Sequence, residues 1–441
     1  MGFGSVGMIA VSEASSRAFL DNLFCTAIAA AHPAQCLTSR LPEPPAQGRL
    51  IVLAAGKAGG SMAEVAEKFY LQTRGLAPER LCGIAVARHG YGRPTKVIQS
   101  IEAGHPVPDQ AGIAATIRTL DLAKSATADD IVLVLISGGA SANWIAPIPP
   151  LSLNEKQALT RALLRSGAGI GEINTVRKHL SQIKGGRLAR VAHPARVVTL
   201  GISDVPGDDP AVIGSGPTVP DPSTLAEARA IIGRYRLDIP DSVHRVLADP
   251  ASESPKPGDA VFARTEFHLV ARPADSFHAA EKAVQAAGYD YIFLGDQVEG
   301  EAREVAAAHA QLAREIAAQK RRAVIVSGGE LTVTIRGKGR GGPNQEYALA
   351  LAIAIDGMPG IAAIAGDTDG TDGGGGSAAD PAGAFIDGTT ASRARALGLD
   401  PAAFVADNDS TAFFSALGDL VAPGPTFTNV NDFRAIVVDT P

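Results

Sequence analysis

Two glycine-rich segments of the chain concentrate aspartates: ISDVPGDDPAVIGSGPTVPD at 202–221 and AGDTDGTDGGGG at 365–376. The carboxylates of interest in these segments are Asp204, Asp208, Asp367, Asp369 and Asp372. Carboxylates at this density can hold Mg²⁺ or take a proton from a hydroxyl group. Isolated Asp-Gly pairs are typical of turns, but a long run of small and acidic residues after an apolar stretch favours a site.

The segment 365–376 is compatible at first with a calcium loop, a phosphate-binding loop or a linker. An EF-hand is excluded because, counting from Asp367, position 6 is Asp372 in place of glycine and position 12 is Ala378 in place of glutamate. The segment has no lysine for phosphate, and it directly follows the apolar run IAAIA, where a linker is out of place. We therefore expect a strand-end loop whose carboxylates face Mg²⁺, ribose or substrate hydroxyls.

A second kind of chemistry is indicated by ELTVTIRGKGRGGPNQEYALALAIAI at 330–355. Gly337, Gly339 and Gly342 form a GxGxxG pattern between a predicted strand and a predicted helix, and Lys338 and Arg340 lie inside the turn. Backbone N–H groups at a helix start and two cations make a good anion site. This context favours nucleotide binding, and both a dinucleotide and ATP stay open.

Two further turns follow apolar runs in the first half of the chain. Lys57 lies in AAGKAGG, which is no Walker A motif because Ile51 and Ala58 replace the required Gly and Ser/Thr. The turn Ser137–Gly139 lies in LISGGAS. A lysine at a strand-to-helix turn is either a surface residue or a ligand for phosphate or carboxylate.

Basic residues and one histidine supply additional candidates. His105 is enclosed by glycine and proline in AGHPVPD, where substrate contact and a purely structural role are equally compatible. The segment INTVRKHLSQIKGGRLAR at 173–190 predicts one helix with a solvated basic face. The alternative is that Arg177 and Lys178 steady an anion, whereas His179 is expected to be a surface or satisfied histidine.

Short apolar runs that alternate with helical stretches predict the elements that carry these residues. Units of this kind begin at 49–69, 130–144 and 195–209, which predicts βαβ units and a largely parallel sheet. Ligands of such sheets bind outside the carboxyl ends of the strands, where the turns above fall.

The Pro- and Asp-rich stretch 237–261 predicts a domain boundary. Beyond it, strands are expected at 267–271, 291–294, 323–326, 331–335, 361–365 and 434–438, and helices at 274–287, 299–319 and 344–355. Since VIVSGGELTVTI indicates strand, turn, strand, the second sheet is expected to be mixed.

Composition narrows the class of protein. A net charge of −6 without long basic runs, and 5% aromatic residues, argue against nucleic acid or an anionic membrane as the partner. The three cysteines show no CxxC spacing, which is typical of free thiols in a reducing compartment. The N-terminal residues show no signal peptide or membrane span, so we expect a cytoplasmic protein. Monomer and homodimer both stay open.

Taken in order, the motifs AAGKAGGSMA, AGHPVPD, LISGGASANW, INTVRKHLSQIKGGRLA, ISDVPGDDPAVIGSGPTVPD, SGGELTVTIRGKGRGGPNQEYALA, AGDTDGTDGGGG and TNVNDFRAIVV resemble the type II glycerate kinases, the MOFRL family. The resemblance runs from about residue 16 to the C-terminus. It implies transfer of the γ-phosphoryl group of ATP to D-glycerate, with Mg²⁺, to give 2-phosphoglycerate. It also implies an α/β fold with an N-terminal Rossmann-like domain at 16–240, a C-terminal α/β domain at 262–441 and the active site in the cleft between them.

The resemblance also implies roles for individual residues. Catalytic roles fall to Lys57, Asp204, Asp208 and Arg340, the last as a substitute for an arginine that many members have where this chain has Pro343. Residues implied for ATP are Ser137, Gly138, Gly139, Glu330, Gly337, Lys338, Gly339 and Asn344; for substrate, His105, Arg177, Lys178 and Asn431; for metal, Asp367, Asp369 and Asp372. Backbone N–H groups of the two glycine turns are expected to cradle the phosphates. Phe427 stands where a glycine is frequent in the family.

Two other functions remain to be distinguished. Some relatives carry the older label hydroxypyruvate reductase, and an NAD(P)H-dependent reductase would use the GxGxxG at 337–342. That reading leaves the many aspartates and cations unexplained. A non-catalytic module that binds a nucleotide or a sugar acid would leave Lys57 and Asp204 without a role.

Overall fold

The computed structural model describes residues 13–373 and 377–439, so the last glycines of the acidic segment, 374–376, lie outside the described residues. The strands, numbered β1 to β14 in chain order, are Leu50–Ala55, Leu81–Arg88, Gln99–Ala103, Ile131–Ile136, Arg196–Ile202, Thr265–Ala271, Asp290–Phe293, Gly300–Glu301, Ala323–Ser327, Leu331–Thr332, Ile361–Asp367, Gly383–Asp387, Leu420–Val421 and Asp432–Val438. The α-helices, α1 to α16, are Glu13–Ala30, Pro33–Cys36, Gly59–Lys68, Gln110–Lys124, Ala140–Asn143, Leu153–Arg165, Ile170–His179, Arg187–Ala192, Leu225–Arg234, Asp241–Ala248, Pro273–Ala286, Ala302–Ala318, Pro343–Ala354, Thr390–Ala396, Pro401–Ala406 and Ser410–Leu417.

The first sheet is wholly parallel, with the strand order β3-β2-β1-β4-β5-β6. Its central strands β1 (LIVLAA) and β4 (IVLVLI) are apolar throughout and buried at every position. Continuous apolar runs of this kind are expected where helices cover both faces of a sheet. The prediction of an N-terminal parallel sheet is confirmed. The strand order reverses between β1 and β4, which makes that point the expected ligand-binding edge.

One strand of this sheet differs from the sequence-based expectation. The run near 267–271 was expected in the second domain, but β6 pairs with β5 in parallel, from Val197 opposite Thr265. The Pro- and Asp-rich stretch 237–261 therefore forms a crossover connection inside the first sheet. A Pro- and Asp-rich composition indicates loops and short helices. Such elements occur in a long crossover connection as well as at a domain boundary, so composition alone did not distinguish the two.

The second sheet has the order β13-β12-β11-β14-β9-β7. Only β7 and β9 are parallel in it, and the other neighbours are antiparallel. The prediction of a mixed sheet is confirmed, but the reason given for it was wrong. The strand expected at 331–335 is only β10, which pairs with β8 in a separate two-stranded ribbon. The antiparallel character comes instead from β11, β12 and β14.

The chain forms two compact units. The first unit contains His32–Arg272 together with Phe427–Asn429. The second unit contains the described residues up to Ala31, those within Pro273–Thr426 and those from Val430 onward. Helix α1 belongs to the second unit because its apolar residues pack on the second sheet, where the ring centroids of Phe24 and Phe433 lie 6.1 Å apart. The domain limits of 16–240 and 262–441 stay a prediction.

The single helix expected at 173–190 is divided into α7 and α8. The connection between them contains Gly185 and Gly186, with φ angles of +58° and +77°. A side chain at Gly186 would place its Cβ 2.8 Å from the carbonyl oxygen of Val219, so close packing enforces the glycine. Left-handed backbone ends a helix, and the second basic half of the segment therefore turns inward.

Arg434 organises the end of the second sheet. It lies on β14 with 1% of its surface exposed, and its guanidinium is 3.0 Å from the Asp432 carboxylate. The same group donates to the carbonyl oxygen of Gly329 at 3.0 Å and to the Ser327 hydroxyl at 3.3 Å. Arg434 thus holds the turn that carries Glu330 to the strand beside it.

We predict that Arg434→Leu lowers the free energy of unfolding by about 3–5 kcal/mol, because it leaves a buried carboxylate and carbonyl groups without their donor. Urea denaturation of the whole chain measures this. The matched control is Arg395→Leu, which removes an exposed ion pair of the same unit, 2.6 Å from Asp356, and should cost less than about 1 kcal/mol. Equal losses in the two variants would contradict the role assigned to Arg434.

Candidate active site

The turns after β1 and β4 are joined where the strand order of the first sheet reverses. The backbone N–H of Lys57 donates to the carbonyl oxygen of Gly138 at 2.8 Å, and that of Ala58 donates to the Ser137 hydroxyl at 2.9 Å. Gly56, at φ +112°, permits this approach, since a Cβ there would lie 2.4 Å from the Ser137 hydroxyl oxygen. The lysine turn and the SGG turn therefore form one structure at the carboxyl edge of the sheet.

Asp204 follows β5 and reaches the same turn. Asn429 donates from Nδ2 to Asp204 Oδ2 at 2.6 Å. A Cβ on Gly138 would lie 1.8 Å from that carboxylate oxygen and 2.2 Å from the Asn429 nitrogen. The glycine is therefore required so that the carboxylate and the amide can lie directly against the turn.

His105 also contacts this turn. A Cβ on Gly139, at φ +83°, would lie 3.0 Å from His105 Nε2 and 3.2 Å from Lys57 Cγ. The structure thus brings together Lys57, His105, the SGG turn and Asp204, which the sequence predicted from four separate motifs. Asn429 completes the group, and the TNVND motif was its only signal in the sequence.

Phe427 lies two residues before Asn429 and has a φ of +60°, which is uncommon for a residue with a side chain. The Arg93 guanidinium lies 4.5 Å from the centre of its ring, and Tyr91 meets it edge-on at 6.2 Å. These contacts offset the strain of the left-handed backbone. The same backbone angle explains why glycine is suited to this position.

Two of the predicted residues of the first unit have other surroundings. Asp208 lies in a short 3₁₀ turn with a φ of +56°, and its backbone N–H donates to the carbonyl of Val205. Lys178 is buried, with its ammonium 3.3 Å from Asp221 Oδ1. The ion pair gives Lys178 a structural partner, and its predicted contact with substrate stays a prediction.

A cluster of buried cations was not anticipated. The Lys184 ammonium, with none of its surface exposed, donates to the Ser141 carbonyl at 2.7 Å and to the Ser141 hydroxyl at 3.0 Å. Arg177 approaches the same hydroxyl at 3.5 Å, and Lys156 is only 4% exposed. The expected solvated basic face at 173–190 is therefore wrong. His179 is confirmed as a satisfied histidine, with Nε2 at 2.9 Å from Glu253.

Burial lowers the pKa of each lysine in this cluster. For Lys156 the pKa falls to about 7, with the Arg177 and Arg187 charges as further causes. For Lys184 it falls well below its usual value, with Arg177 and Lys156 adding to the effect of burial. Lys156 stands in an ordinary amphipathic helix, so no motif could have revealed it.

In the second unit, the backbone N–H groups of the GxGxxG loop are already paired from Arg336 to Arg340. The N–H groups of Arg336 and Gly337 both donate to Asn408 Oδ1, at 2.7 and 3.0 Å. The next two N–H groups donate to Asp407, to Oδ1 at 3.0 Å and to the carbonyl oxygen at 2.9 Å. The N–H of Arg340 donates to Asp409 Oδ1 at 3.0 Å. Glycine is required at both positions, because a Cβ added to Gly337 would lie 2.2 Å from Asp407 and one added to Gly339 would lie 2.3 Å from Asp409. The expectation that these N–H groups cradle phosphates is wrong. Lys338 and Arg340 remain exposed, so only their side chains can meet an anion.

The start of helix α13 is occupied by a carboxylate of the chain itself. Asp372 accepts from the backbone N–H of Asn344 at 3.0 Å and of Gln345 at 2.8 Å. Both side-chain amides also donate to it, at 3.2 Å each. The place where a dinucleotide pyrophosphate would lie is thus filled, which argues against the NAD(P) reading of this motif.

The surroundings of Asp372 also bear on its predicted metal role. Burial raises the pKa of its carboxyl to about 7, and the charge of Asp432 adds to this. Four donors meet the two oxygens of Asp372, which makes it a helix cap, and its predicted metal role stays a prediction. In residues 13–373 and 377–439, no group of three or more His, Cys, Asp or Glu side chains is arranged to hold a metal ion. Metal binding by Asp367 and Asp369 stays a prediction.

The remaining predicted residues of the second unit are Asp367, Asp369, Asn431 and Glu330. Asp369 is buried and accepts from the Thr371 N–H at 2.7 Å, and Asp367 accepts from the Asp369 N–H at 2.9 Å. Asn431 receives the Asp432 N–H on its side chain at 3.0 Å. Glu330 is exposed beyond the turn that Arg434 holds.

The side-chain oxygen of Asn344 takes no part in these hydrogen bonds. The Nδ2 atom of Asn344 donates to Asp432 at 2.8 Å, whereas the buried Oδ1 has no hydrogen-bond partner in the part of the chain that the structure describes. An orphaned acceptor of this kind suits a ligand donor. The predicted contact with a nucleotide stays open at this atom.

Comparison with known proteins places these two units in a family. Residues 19–248 match the model described as a domain of unknown function, DUF4147, and residues 323–432 match the MOFRL family model. The chain belongs to the MOFRL family. The two matches together carry the turns after β1 and β4 and the loop before α13.

Relatives in the MOFRL family carry two different names. A protein from Agrobacterium vitis with a provisional hydroxypyruvate reductase name is 46% identical over 97% of this chain and 95% of its own length. The D-glycerate 2-kinase of Thermotoga maritima is 39% identical over 87% of this chain and 89% of its own length. The crystal structure of glycerate kinase from the same organism matches with a TM-score of 0.84 and 37% identity, over 96% of this chain and all of that one. Its match supports the α/β fold described above.

The described helices were also compared with the length and apolarity that a membrane span requires. None of those within residues 13–373 and 377–439 is long and apolar enough to cross a membrane.

The lysine cluster predicts a pH-dependent stability. Because the pKa of Lys156 is about 7 in the folded chain and about 10.4 when unfolded, the folded state binds fewer protons between these values. The wild-type free energy of unfolding should therefore rise from pH 7 to pH 10 relative to that of Lys156→Met. Urea titrations at several pH values measure the difference, with Lys124→Met as a control for the loss of one charge. Parallel profiles for wild type and Lys156→Met would contradict the burial of a charged ammonium.

Proposed function

We propose that this protein phosphorylates D-glycerate at the 2-hydroxyl, with ATP as donor and Mg²⁺ as cofactor. The observation that carries the proposal is the group of Lys57, His105, Asp204 and the SGG turn at the switch point of the first sheet. Phosphoryl transfer requires positioned cations and a proton acceptor more than covalent chemistry, and this group offers both. Membership of a family whose relatives include D-glycerate 2-kinases supports the choice of substrate.

Asp204 is the residue suited to take the proton of the substrate hydroxyl. Its Oδ2 is held by the Asn429 amide at 2.6 Å, which fixes the carboxylate against Gly138. A fixed acceptor within reach of the hydroxyl is the geometric requirement for a general base. Asn429 acts through Asp204 and is a positioning residue.

Lys57 is the residue suited to neutralise the transferred phosphoryl group. Its backbone is tied to Gly138, and its side chain is partly exposed beside His105. A cation fixed at this place stabilises charge that develops in the transition state without reorganisation of the site. His105, on the other side of Gly139, is placed to contact a substrate hydroxyl.

The nucleotide would use side chains of the second unit. Lys338 and Arg340 are exposed cations on a loop whose backbone is fixed, and Asn344 Oδ1 is an open acceptor. Asp367 and Asp369 would hold Mg²⁺, since this ion usually takes one or two carboxylates together with substrate phosphates. When bound, Mg²⁺ neutralises the phosphate charges.

The reductase alternative is less well supported by these contacts. Its motif needs a pyrophosphate at the start of α13, where the Asp372 carboxylate lies. The deciding experiment supplies D-glycerate, ATP and Mg²⁺, follows ADP formation and identifies the product as 2- or 3-phosphoglycerate by NMR. Oxidation of NADH on hydroxypyruvate without ADP formation would establish the alternative instead.

We predict that Lys57→Ala lowers kcat/KM for D-glycerate at least about 10²-fold, as expected for the loss of one transition-state charge contact. The coupled ADP assay measures this. Lys68→Ala is the matched control, because this lysine follows in the same strand-helix unit with 60% of its side chain exposed. Near-wild-type turnover in Lys57→Ala would refute the assignment.

A further inference from the structure

A cavity of about 280 Å³ lies in the first unit beside the loop of His105. Its wall includes Pro106 and Ile145, and the two cations Lys156 and Arg177 face it. Pockets for larger ligands usually begin at about 300 Å³, so this one suits a small molecule rather than a nucleotide.

The two cations that line this cavity, and Lys184, which shares Ser141 with Arg177, have only neutral oxygens as partners. Lys156 donates to the carbonyl of Leu180 at 3.3 Å, while Lys184 and Arg177 converge on Ser141. Among the residues that the structure describes, none of the three cations forms an ion pair with a carboxylate. The neighbouring Lys178, in contrast, forms an ion pair with Asp221. The absence of a carboxylate partner therefore distinguishes this cluster from the lysine beside it.

Such an arrangement is costly for the protein alone. Burial of a charge without an opposite charge destabilises the charged form, and the nearby Arg177 guanidinium disfavours it further, which is why the pKa values of Lys156 and Lys184 are lowered. An anionic ligand relieves both effects, because it supplies the missing negative charge and accepts charge-assisted hydrogen bonds.

The position of the cluster relates it to the proposed reaction. Ser141 follows Gly139 by two residues, and Gly139 contacts both Lys57 and His105. Pro106, next to His105, lines the cavity. The cation cluster and the catalytic group therefore contact residues that are two positions apart on one short stretch of backbone.

We propose that Lys156, Arg177 and Lys184 form the site for the carboxylate of the substrate and select 2-hydroxy acids over uncharged polyols. This inference rests on the function proposed above. It assigns specificity to Lys156, which belongs to none of the sequence motifs, and to Lys184, for which the motif at 173–190 gave no role.

The first test compares ligands on the wild-type chain by calorimetry without nucleotide. D-Glycerate should bind at least about tenfold more tightly than glyceramide, since a hydrogen bond to a charged group contributes about 1.5–3 kcal/mol. Binding at pH 8 should take up protons, because an anion raises the pKa of Lys156, whose other charged neighbours are Arg177, Arg187 and Lys184. Buffers of different ionisation enthalpy reveal this uptake. Equal affinities, or no proton uptake, would overturn the proposal without need of any variant.

The second test uses Lys156→Met and Lys184→Met, with Arg165→Met as the control at an exposed position of the Lys156 helix. The two cluster variants should raise the KM for D-glycerate at least about tenfold and leave the KM for ATP unchanged. Their effect should disappear when glyceramide is the acceptor, which a general loss of structure would not produce. Unchanged D-glycerate affinity in folded Lys156→Met would overturn the proposal.

Inorganic phosphate is the competing anion. If the variants weaken phosphate binding but leave D-glycerate binding intact, the site is one for phosphate and the carboxylate assignment fails. If the wild-type chain binds D-glycerate with proton uptake but forms no ADP, the carboxylate site stands and the kinase function fails. The two proposals are thereby tested separately.

Discussion

The hydrogen bond from the Lys57 N–H to the carbonyl of Gly138 is the contact on which the candidate site depends. It joins the turns after two adjacent central strands at the place where the strand order reverses. Because β1 and β4 are apolar at every position, their polar turns are confined to the sheet edge. The strands therefore fix where the chemistry can be, and the turn contact fixes the position of the lysine turn against the SGG turn.

Glycine serves the two units in different ways. In the first unit, Gly138 and Gly139 let Asp204, His105 and Lys57 lie against one turn, so their lack of side chains opens space for functional groups. In the second unit, Gly337 and Gly339 let the loop press against Asp407 and Asp409, which consume its backbone donors. Similar sequence patterns thus create an open turn in one place and a closed one in the other.

The buried charges of the two units also differ in whether the chain supplies their partners. The carboxylate of Asp372 completes the start of a helix, where the N–H groups and the helix dipole favour a negative charge. The cations around Ser141 have no such complement within the first unit. This difference separates a structural charge, whose partners are already present, from one that is suited to a ligand.

Much of the fold and part of the site follow from local patterns. The parallel sheet, the mixed sheet and the turns with Lys57, Ser137 and Asp204 could be predicted because apolar periodicity and glycine turns are local properties of the chain. The position of β6, the pairing of the loop donors with 407–409 and the inward course of 173–190 could not, since each depends on residues far apart in sequence. Lys156 shows the limit most clearly. Its neighbours in sequence form an amphipathic helix and indicate a solvated lysine, and only the packing of other elements over it makes it a buried charge.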